Sequence, residues 1–223
     1  MTNKEQQIGD YKMKKMLIAA AALMMTSTVL AEEVMYRVTF KGNFSKQMQP
    51  HSRFPGNPHF SALVVAGHKR SYDMFGFGKK STPGVKLVAE TGGTKTIVQE
   101  LLKLRDNGRV LEYRRASSGT SGLGTMSLNV RVDSKNPYLS AITMIAPSPD
   151  WIVGVSKYSL KKNGKFITKK VVPLHAIDAG TDSGTGYTSG NKPTRPQAKI
   201  AKLKSVSGQD IQAPYGYLTI EKL

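Results

Sequence analysis

Three aspartates have the side-chain type and the surroundings expected of ligands for a hard cation. Asp150 stands directly before Trp151, the only tryptophan of the 223-residue chain. Asp178 and Asp182 lie four residues apart in the segment Asp-Ala-Gly-Thr-Asp-Ser-Gly. Calcium binds six to eight oxygens, some of them backbone carbonyls that a tightly turned loop containing glycine can direct inward. We therefore predict that Asp150, Asp178 and Asp182 meet at one rim of the fold and hold Ca²⁺.

Residues 178–190 also have features of an ordinary polar loop and of an aspartic-protease turn. Asp, Gly, Ser and Thr dominate ordinary turns for backbone reasons, so the segment is also compatible with a polar loop that binds nothing. The triplet Asp182-Ser183-Gly184 resembles the turn of an aspartic protease, whose chemistry needs two carboxylates that share a proton. The triplet occurs once and lacks the apolar strand expected before it. We therefore reject the protease.

The N-terminal region has the pattern of a secretory signal peptide. A basic start precedes an apolar run over residues 16–30, and Ala31 supplies a small residue for cleavage before Glu32. The run is about fifteen residues long, shorter than the roughly twenty needed to span a bilayer. We predict a leader over residues 1–31, with Met13 as an alternative start, and export to the periplasm or the cell exterior.

The composition of residues 32–223 limits what the exported part can be. Its length is sufficient for one domain with a sizeable core, and we expect no transmembrane segment in it. The chain has no cysteine, so core burial, with or without a bound metal, must replace disulfides. The formal charge of the whole chain is +18, of which residues 32–223 carry about +16, and this indicates attraction to polyanions. The basic residues are dispersed in short doublets without a nucleic-acid-binding motif, so we predict no specific nucleic-acid partner.

A series of short β-rich segments separated by turn signals predicts an all-β fold, an antiparallel β-sandwich of about eight strands. We expect strands over residues 34–41, 109–115, 124–132, 138–146, 151–160, 166–174, 198–206 and 215–222. Asn163-Gly164 has the composition of a tight hairpin turn.

One short helix is predicted over residues 94–105. Thr94 or Thr96 can cap it, and apolar residues recur at helical spacing before Asn107-Gly108 ends it. The preceding segment, residues 84–93, contains three glycines and is expected to carry Glu90 into a turn.

Five segments, in their order along the chain, closely resemble the spondin domain family of the F-spondin and mindin type. They are His59-Phe60-Ser61 and residues 81–92, 147–155, 178–184 and 191–196. The resemblance covers residues 34–206. It implies an antiparallel β-sandwich related to calcium-dependent membrane-binding domains, with a metal ion at one rim.

The resemblance also implies which residues bind the metal. The family's aspartates before the tryptophan and in the Asp-Ala-Gly-Thr-Asp-Ser-Gly loop correspond to Asp150, Asp178 and Asp182. The glutamate of the family's Ala-Glu-x-Gly turn corresponds to Glu90, an additional candidate. Animal members use cysteines and thrombospondin-type repeats, and some have integrin partners. The present sequence lacks cysteine, so we expect a stand-alone domain of bacterial type with a different partner.

These features together predict a secreted or periplasmic calcium-binding adhesion or recognition module. The ion is expected to bridge to an anionic extracellular ligand, such as a glycan, a lipid headgroup or a protein carboxylate. Two alternatives are a structural envelope protein in which Ca²⁺ only stabilises loops, and a basic polyanion-binding protein. Because the sequence has no Ser-His-Asp order, nucleophile elbow or zinc signature, we predict that it is not an enzyme.

Overall fold

A computed structural model of the protein describes residues 31–50, 53–211 and 213–223. The leader predicted for residues 1–31 lies outside these ranges, apart from Ala31. The described strands are β1 (Glu33–Gly42), β2 (His59–Phe60), β3 (Val64–His68), β4 (Val110–Arg115), β5 (Thr120–Ser121), β6 (Thr125–Asp133), β7 (Tyr138–Ala146), β8 (Trp151–Ser159), β9 (Lys161–Lys162), β10 (Lys165–Phe166), β11 (Lys169–Leu174), β12 (Ile177–Asp178), β13 (Ala201–Lys202), β14 (Ser205–Val206), β15 (Gln209–Asp210) and β16 (Gly216–Lys222). The helices are α1 (Pro83–Thr91) and α2 (Lys95–Asp106).

Two antiparallel sheets face each other across an apolar core. Sheet 1 has the strand order β11-β16-β1-β6. Sheet 2 has the order β13-β12-β8-β7-β2-β5, and β3 joins it by pairing with both β7 and β4. The core between the sheets, core 1, contains buried side chains from both, including Tyr36, Phe40, Val130, Leu139, Trp151 and Leu218. The predicted antiparallel β-sandwich is confirmed.

The first strand shows how the sequence pattern produces this arrangement. Exposed and buried residues alternate along β1, because successive side chains of a strand point to opposite faces of the sheet. Tyr36, Val38 and Phe40 are fully buried on the inner face. Val38 lies opposite Ile220 of β16 and Leu128 of β6, so the apolar stripe continues across the sheet.

Most predicted strands are confirmed, and one is wrong in part. The segment 138–146 coincides with β7, and Asn163 and Gly164 join β9 to β10 with positive φ angles of 51° and 77°. The segment 198–206 contains only the two-residue strands β13 and β14. Its backbone groups bond elsewhere, since the Ile200 N–H donates to the Lys79 carbonyl at 2.8 Å. Strand β3, by contrast, was not predicted.

The prediction of one short helix is wrong, because α1 accompanies the predicted helix α2. Residues 84–91 lie in helix α1 (Pro83–Thr91), where a glycine-rich turn was expected over residues 84–93. Thr82 caps it by accepting the Val85 N–H at 3.2 Å, Pro83 occupies its first turn, and Gly92 ends it with a φ of 70°. Val85 and Val88 are buried on one face. The glycines of this segment therefore lie near the two ends of a helix, and they did not indicate a loop.

The helices cover the outer face of sheet 2 and create a second apolar core, core 2. It contains Val85, Val88, Ile97 and Leu101 from the helices and Ile142, Ile152 and Ile177 from the sheet. The helices meet at Gly84, where an added Cβ would lie 2.7 Å from Cα of Ile97. Within the described ranges, no helix is long and apolar enough to cross a membrane.

A candidate cation site

The carboxyl group of Asp150 is fully buried at the start of β8 and connects that strand to the 178–184 loop. Its Oδ2 accepts hydrogen bonds from the Thr181 N–H at 2.6 Å, the Asp182 N–H at 3.1 Å and the Thr181 hydroxyl at 3.2 Å. Ser148 shapes the approach, since its hydroxyl accepts the Trp151 N–H at 3.0 Å. Asp150 is therefore held by contacts from a segment about thirty residues further along the chain.

Asp178 is positioned by strand pairing and by a glycine. It is the last residue of β12 and lies opposite Trp151 of β8, which places it next to Asp150. Its Oδ1 accepts the Gly180 N–H at 2.7 Å. Gly180 has a φ of 74°, and a Cβ there would lie 2.6 Å from the Ala198 carbonyl oxygen. Only glycine meets both conditions without strain.

Asp182 holds the far end of the same loop. Its Oδ1 accepts the Gly184 N–H at 2.7 Å, and its Oδ2 accepts the Lys192 N–H at 2.7 Å. Asp182 also forms an isolated β-bridge with Pro193. Both carboxyl oxygens therefore bind backbone groups, and the side chain joins the 178–184 loop to the segment that follows it.

Burial and mutual repulsion disfavour the charged forms of two of these carboxyl groups. Burial raises the pKa of Asp150 to about 6, and the nearby charge of Asp178 also raises it, against the lowering effect of the Thr181 and Asp182 hydrogen bonds. Burial likewise raises the pKa of Asp178, as does the charge of Asp182, against the Gly180 hydrogen bond. The three carboxylates thus form one interacting acidic cluster.

Within the described ranges, the acidic cluster contains one buried, unpaired carboxylate oxygen that is suited to bind a cation. Asp150 Oδ1 is buried and has no hydrogen-bond partner among the described residues. A buried carboxylate oxygen without a partner is costly, and a calcium ion is one group that would satisfy it. In the described part of the chain, no group of three or more His, Cys, Asp or Glu side chains is arranged as a complete metal site. Calcium binding by Asp150, Asp178 and Asp182 therefore stays a prediction.

Glu90, the additional candidate from the family resemblance, lies within helix α1. Its Oε1 pairs with Lys86 Nζ at 2.7 Å, one helical turn earlier. The charges that raise the pKa values of Asp150 and Asp178 come from the aspartates of the cluster. The structure therefore brings the three aspartates together and gives Glu90 a separate partner.

Trp151 packs in the core beside the cluster. Its side chain is fully buried, and its ring meets that of Tyr187 edge-on at a centroid distance of 5.6 Å. The buried ring thus holds the start of β8 in place next to Asp150.

Sequence reasoning missed the part that Thr181 plays in the cluster. Thr181 supplies two of the three hydrogen bonds to Asp150, one from its backbone and one from its hydroxyl. Its position between the two loop aspartates was visible in the sequence. Its contact partner was not, because Asp150 is distant in the chain and the contact exists only once β8 and β12 pair.

The antiparallel sandwich and its loops define the class of protein to which the chain belongs. The Spondin_N family model matches residues 34–223, and the chain belongs to that family. It is 37% identical to spondin-1 of Gallus gallus and of Homo sapiens over 180 residues, and 29% identical to spondin-2 of Homo sapiens over 178 residues. Each match covers 77% of this chain but only 22% of spondin-1 and 53% of spondin-2.

Proposed function

We propose that the protein is a secreted or periplasmic adhesion or recognition module that binds Ca²⁺ at the acidic cluster. The observation that carries this proposal is the buried Asp150 Oδ1, which lacks a hydrogen-bond partner in the described part of the chain, while a second carboxylate, Asp178, lies close enough to raise the pKa of Asp150. Without a cation the two carboxylates repel each other, and a divalent ion removes that cost.

The residues of the cluster would hold the ion in different ways. Asp150 Oδ1 and the Asp178 carboxylate are the proposed direct ligands, because within residues 31–50, 53–211 and 213–223 Asp150 Oδ1 accepts no hydrogen bond and Asp178 accepts one, at Oδ1. Asp182 orders the loop through both oxygens, each of which keeps a second lone pair for the ion. The bound ion would neutralise the cluster and offer remaining coordination positions to an anionic ligand.

Family membership and the sequence pattern support the rest of the proposal. The leader pattern supports export, and the resemblance to the spondin domain supports a role in adhesion or recognition, in binding rather than catalysis. The formal charge of +18 favours an acidic partner outside the cell, such as a glycan, a lipid headgroup or a protein carboxylate.

Calcium titration tests the metal site. We would follow the purified protein by calorimetry and thermal melting beside the Asp178→Ala/Asp182→Ala double variant. A second double variant, Asp106→Ala/Asp210→Ala, removes two exposed acids and serves as a control for lost charge. We expect saturable binding and a raised melting temperature in the parent and the control, and neither in the cluster variant. Equal behaviour of the two double variants would refute the site.

A second measurement separates a bridging ion from a purely structural one. Binding to alginate and to phosphatidylserine vesicles would be measured in Ca²⁺ and in EGTA. A bridging ion predicts binding to one of these surfaces that EGTA abolishes. Binding that survives EGTA and weakens with salt would favour the basic polyanion-binding alternative. An absence of surface binding, with calcium still stabilising the protein, would favour the structural envelope alternative.

A further inference from the structure

A polar pocket of about 400 Å³ at the other edge of sheet 2 concentrates arginine. Its lining residues are Arg105, Arg114, Arg115 and Arg131, together with Leu111, Glu112 and Tyr113. The chain has nine arginines among its 33 basic residues, so four of the nine line one pocket that no lysine lines. We call this the arginine pocket.

The pocket forms where an edge strand of each sheet approaches the other. Strand β4 pairs only with β3, and β6 is the last strand of sheet 1. Glu112 of β4 links the two edges, since its Oε2 accepts the backbone N–H of Arg131 on β6 at 2.5 Å. Arg105 comes from the last turn of α2. Three elements, the consecutive α2 and β4 together with β6, thus supply the arginines.

The positive charge of the pocket is only partly compensated. Glu112 is the one acidic lining residue, and its other oxygen accepts from Arg114 at 2.5 Å, so both of its oxygens are engaged. The Arg115 side chain has no hydrogen bond or ion pair with the described residues. Arg131 Nε is buried and unpartnered among them, and its NH1 lies 3.4 Å from the Glu33 carboxylate. Guanidinium donors therefore remain available.

Arginine is suited to anions with several oxygens. Its guanidinium is always charged, and its planar fork donates two parallel hydrogen bonds to a phosphate, sulfate or carboxylate. Several guanidinium groups around one pocket can together donate hydrogen bonds to the three or more oxygens of a tetrahedral anion, whereas a carboxylate has only two oxygens. We propose that the arginine pocket binds a phosphate or sulfate group carried by a small ligand.

This site is separate from the acidic cluster. Along sheet 2 the order β12-β8-β7-β3-β4 places four strand intervals between Asp178 and the arginine edge, on the order of 19 Å. Oxyanion binding in the arginine pocket does not depend on calcium. Its test can therefore be run in EGTA, so that a failure of the calcium proposal leaves it untouched.

Calorimetric titration with inorganic phosphate, sulfate and glucose 6-phosphate tests the proposal. Three double variants accompany the parent, and thermal melting verifies that each is folded. Arg115→Ala/Arg131→Ala removes two forks, and Arg115→Lys/Arg131→Lys keeps the charge without the fork geometry. Lys162→Ala/Lys165→Ala removes two charges from the β9–β10 hairpin as the matched control.

We expect saturable binding of at least one probe, weakened about tenfold or more by the alanine pair and several-fold by the lysine pair. The hairpin control should stay within about twofold of the parent. Tighter binding of glucose 6-phosphate than of phosphate would support a monoester ligand, and equal binding would support a free anion. Equal weakening in the alanine pair and the hairpin control would overturn the proposal, since net charge alone would then explain binding. Absence of binding by all three probes at about 10 mM would also overturn it.

Discussion

The two edges of sheet 2 carry opposite charges and are built in opposite ways. At the β12–β13 edge the acidic cluster is largely buried, with Asp178 half-buried, and backbone N–H groups bind each of its carboxyl groups. At the β4 edge the arginine pocket is open, and it has three exposed arginines and the half-buried Arg131 on three separate elements.

The contrast follows from the chemistry of the two kinds of side chain. A carboxylate can be buried when backbone donors bind it, but burial raises its pKa and makes a counter-ion favourable. An arginine cannot give up its proton, so it stays charged and near solvent until an anion arrives. The acidic cluster is thus a pre-formed site and the arginine pocket an adaptable one.

The largest expected difference between the edges concerns the core behind them. Trp151→Ala removes a fully buried ring beside the acidic cluster and should lower the free energy of unfolding by about 3–5 kcal/mol. Tyr113→Ala, at a half-buried position in the arginine pocket, should cost about 1–2 kcal/mol. Urea unfolding measures both values. Equal losses would contradict the view that the acidic edge is anchored more deeply in the core than the arginine edge.

The edges should also differ in their response to pH. The pKa of Asp150 is raised from 3.8 to about 6 in the folded protein, so the folded state holds a proton that the unfolded state has already lost between these values. Stability of the calcium-free protein should therefore fall as pH rises from about 4 to about 6, and then level. The Asp150 contribution is about 3 kcal/mol, and the raised pKa of Asp178 adds in the same direction.

Urea unfolding between pH 4 and 8 in EGTA measures this dependence. Asp150→Asn should lose the Asp150 part of the fall, whereas Arg115→Ala/Arg131→Ala should keep it, because arginine does not titrate in this range. A parent and an Asp150→Asn variant with parallel pH profiles would contradict the assignment.

Two glycines with similar φ angles allow the cost of a left-handed backbone conformation to be measured apart from the cost of steric crowding. Gly180 has a φ of 74°, and an added Cβ would lie 2.6 Å from the Ala198 carbonyl oxygen, whereas Gly164 has a φ of 77° and an added Cβ would meet nothing within 4 Å. Gly164→Ala should cost about 1 kcal/mol for its left-handed conformation alone. Gly180→Ala should cost about 2–3 kcal/mol, because the methyl group also displaces backbone. Chemical denaturation of both variants measures the two losses in unfolding free energy. Equal losses would show that the backbone around Gly180 can shift to accept a methyl group without further cost.

The smallest expected effect lies at the arginine edge. Glu112→Gln removes the charge that engages Arg114 and the Arg131 backbone, while keeping one acceptor. We expect a loss of about 1 kcal/mol in unfolding free energy and a severalfold gain in phosphate affinity. Unfolding and calorimetry on the same sample test both. A loss of phosphate affinity would show that Glu112 contributes more by positioning the pocket residues than by neutralising their positive charge.

The sequence predicted the acidic cluster far better than the arginine pocket. Asp178 and Asp182 share one short loop motif, and the strand predicted over residues 34–41 lies within β1. The arginines come from α2, β4 and β6, and only the approach of two sheet edges brings them together. No local pattern encodes such an approach. Helix α1 was missed for a different reason, since the glycines of residues 84–93 were interpreted as signals of a turn, whereas Gly92 ends a helix that begins at Pro83.

The most direct test of the calcium site is thermal melting of the parent protein and of Asp150→Asn, with Ca²⁺ or Mg²⁺ added back after EGTA treatment. Asparagine is nearly isosteric and keeps an acceptor for the Thr181 and Asp182 N–H groups, so the variant should fold without the ion. Calcium at about a hundredfold excess over its dissociation constant should raise the melting temperature of the parent by about 5 °C or more. The variant should lose most of that rise, and Mg²⁺ should have a smaller effect on the parent. An equal rise in both proteins, or none in the parent at about 10 mM Ca²⁺, would contradict calcium binding at the acidic cluster.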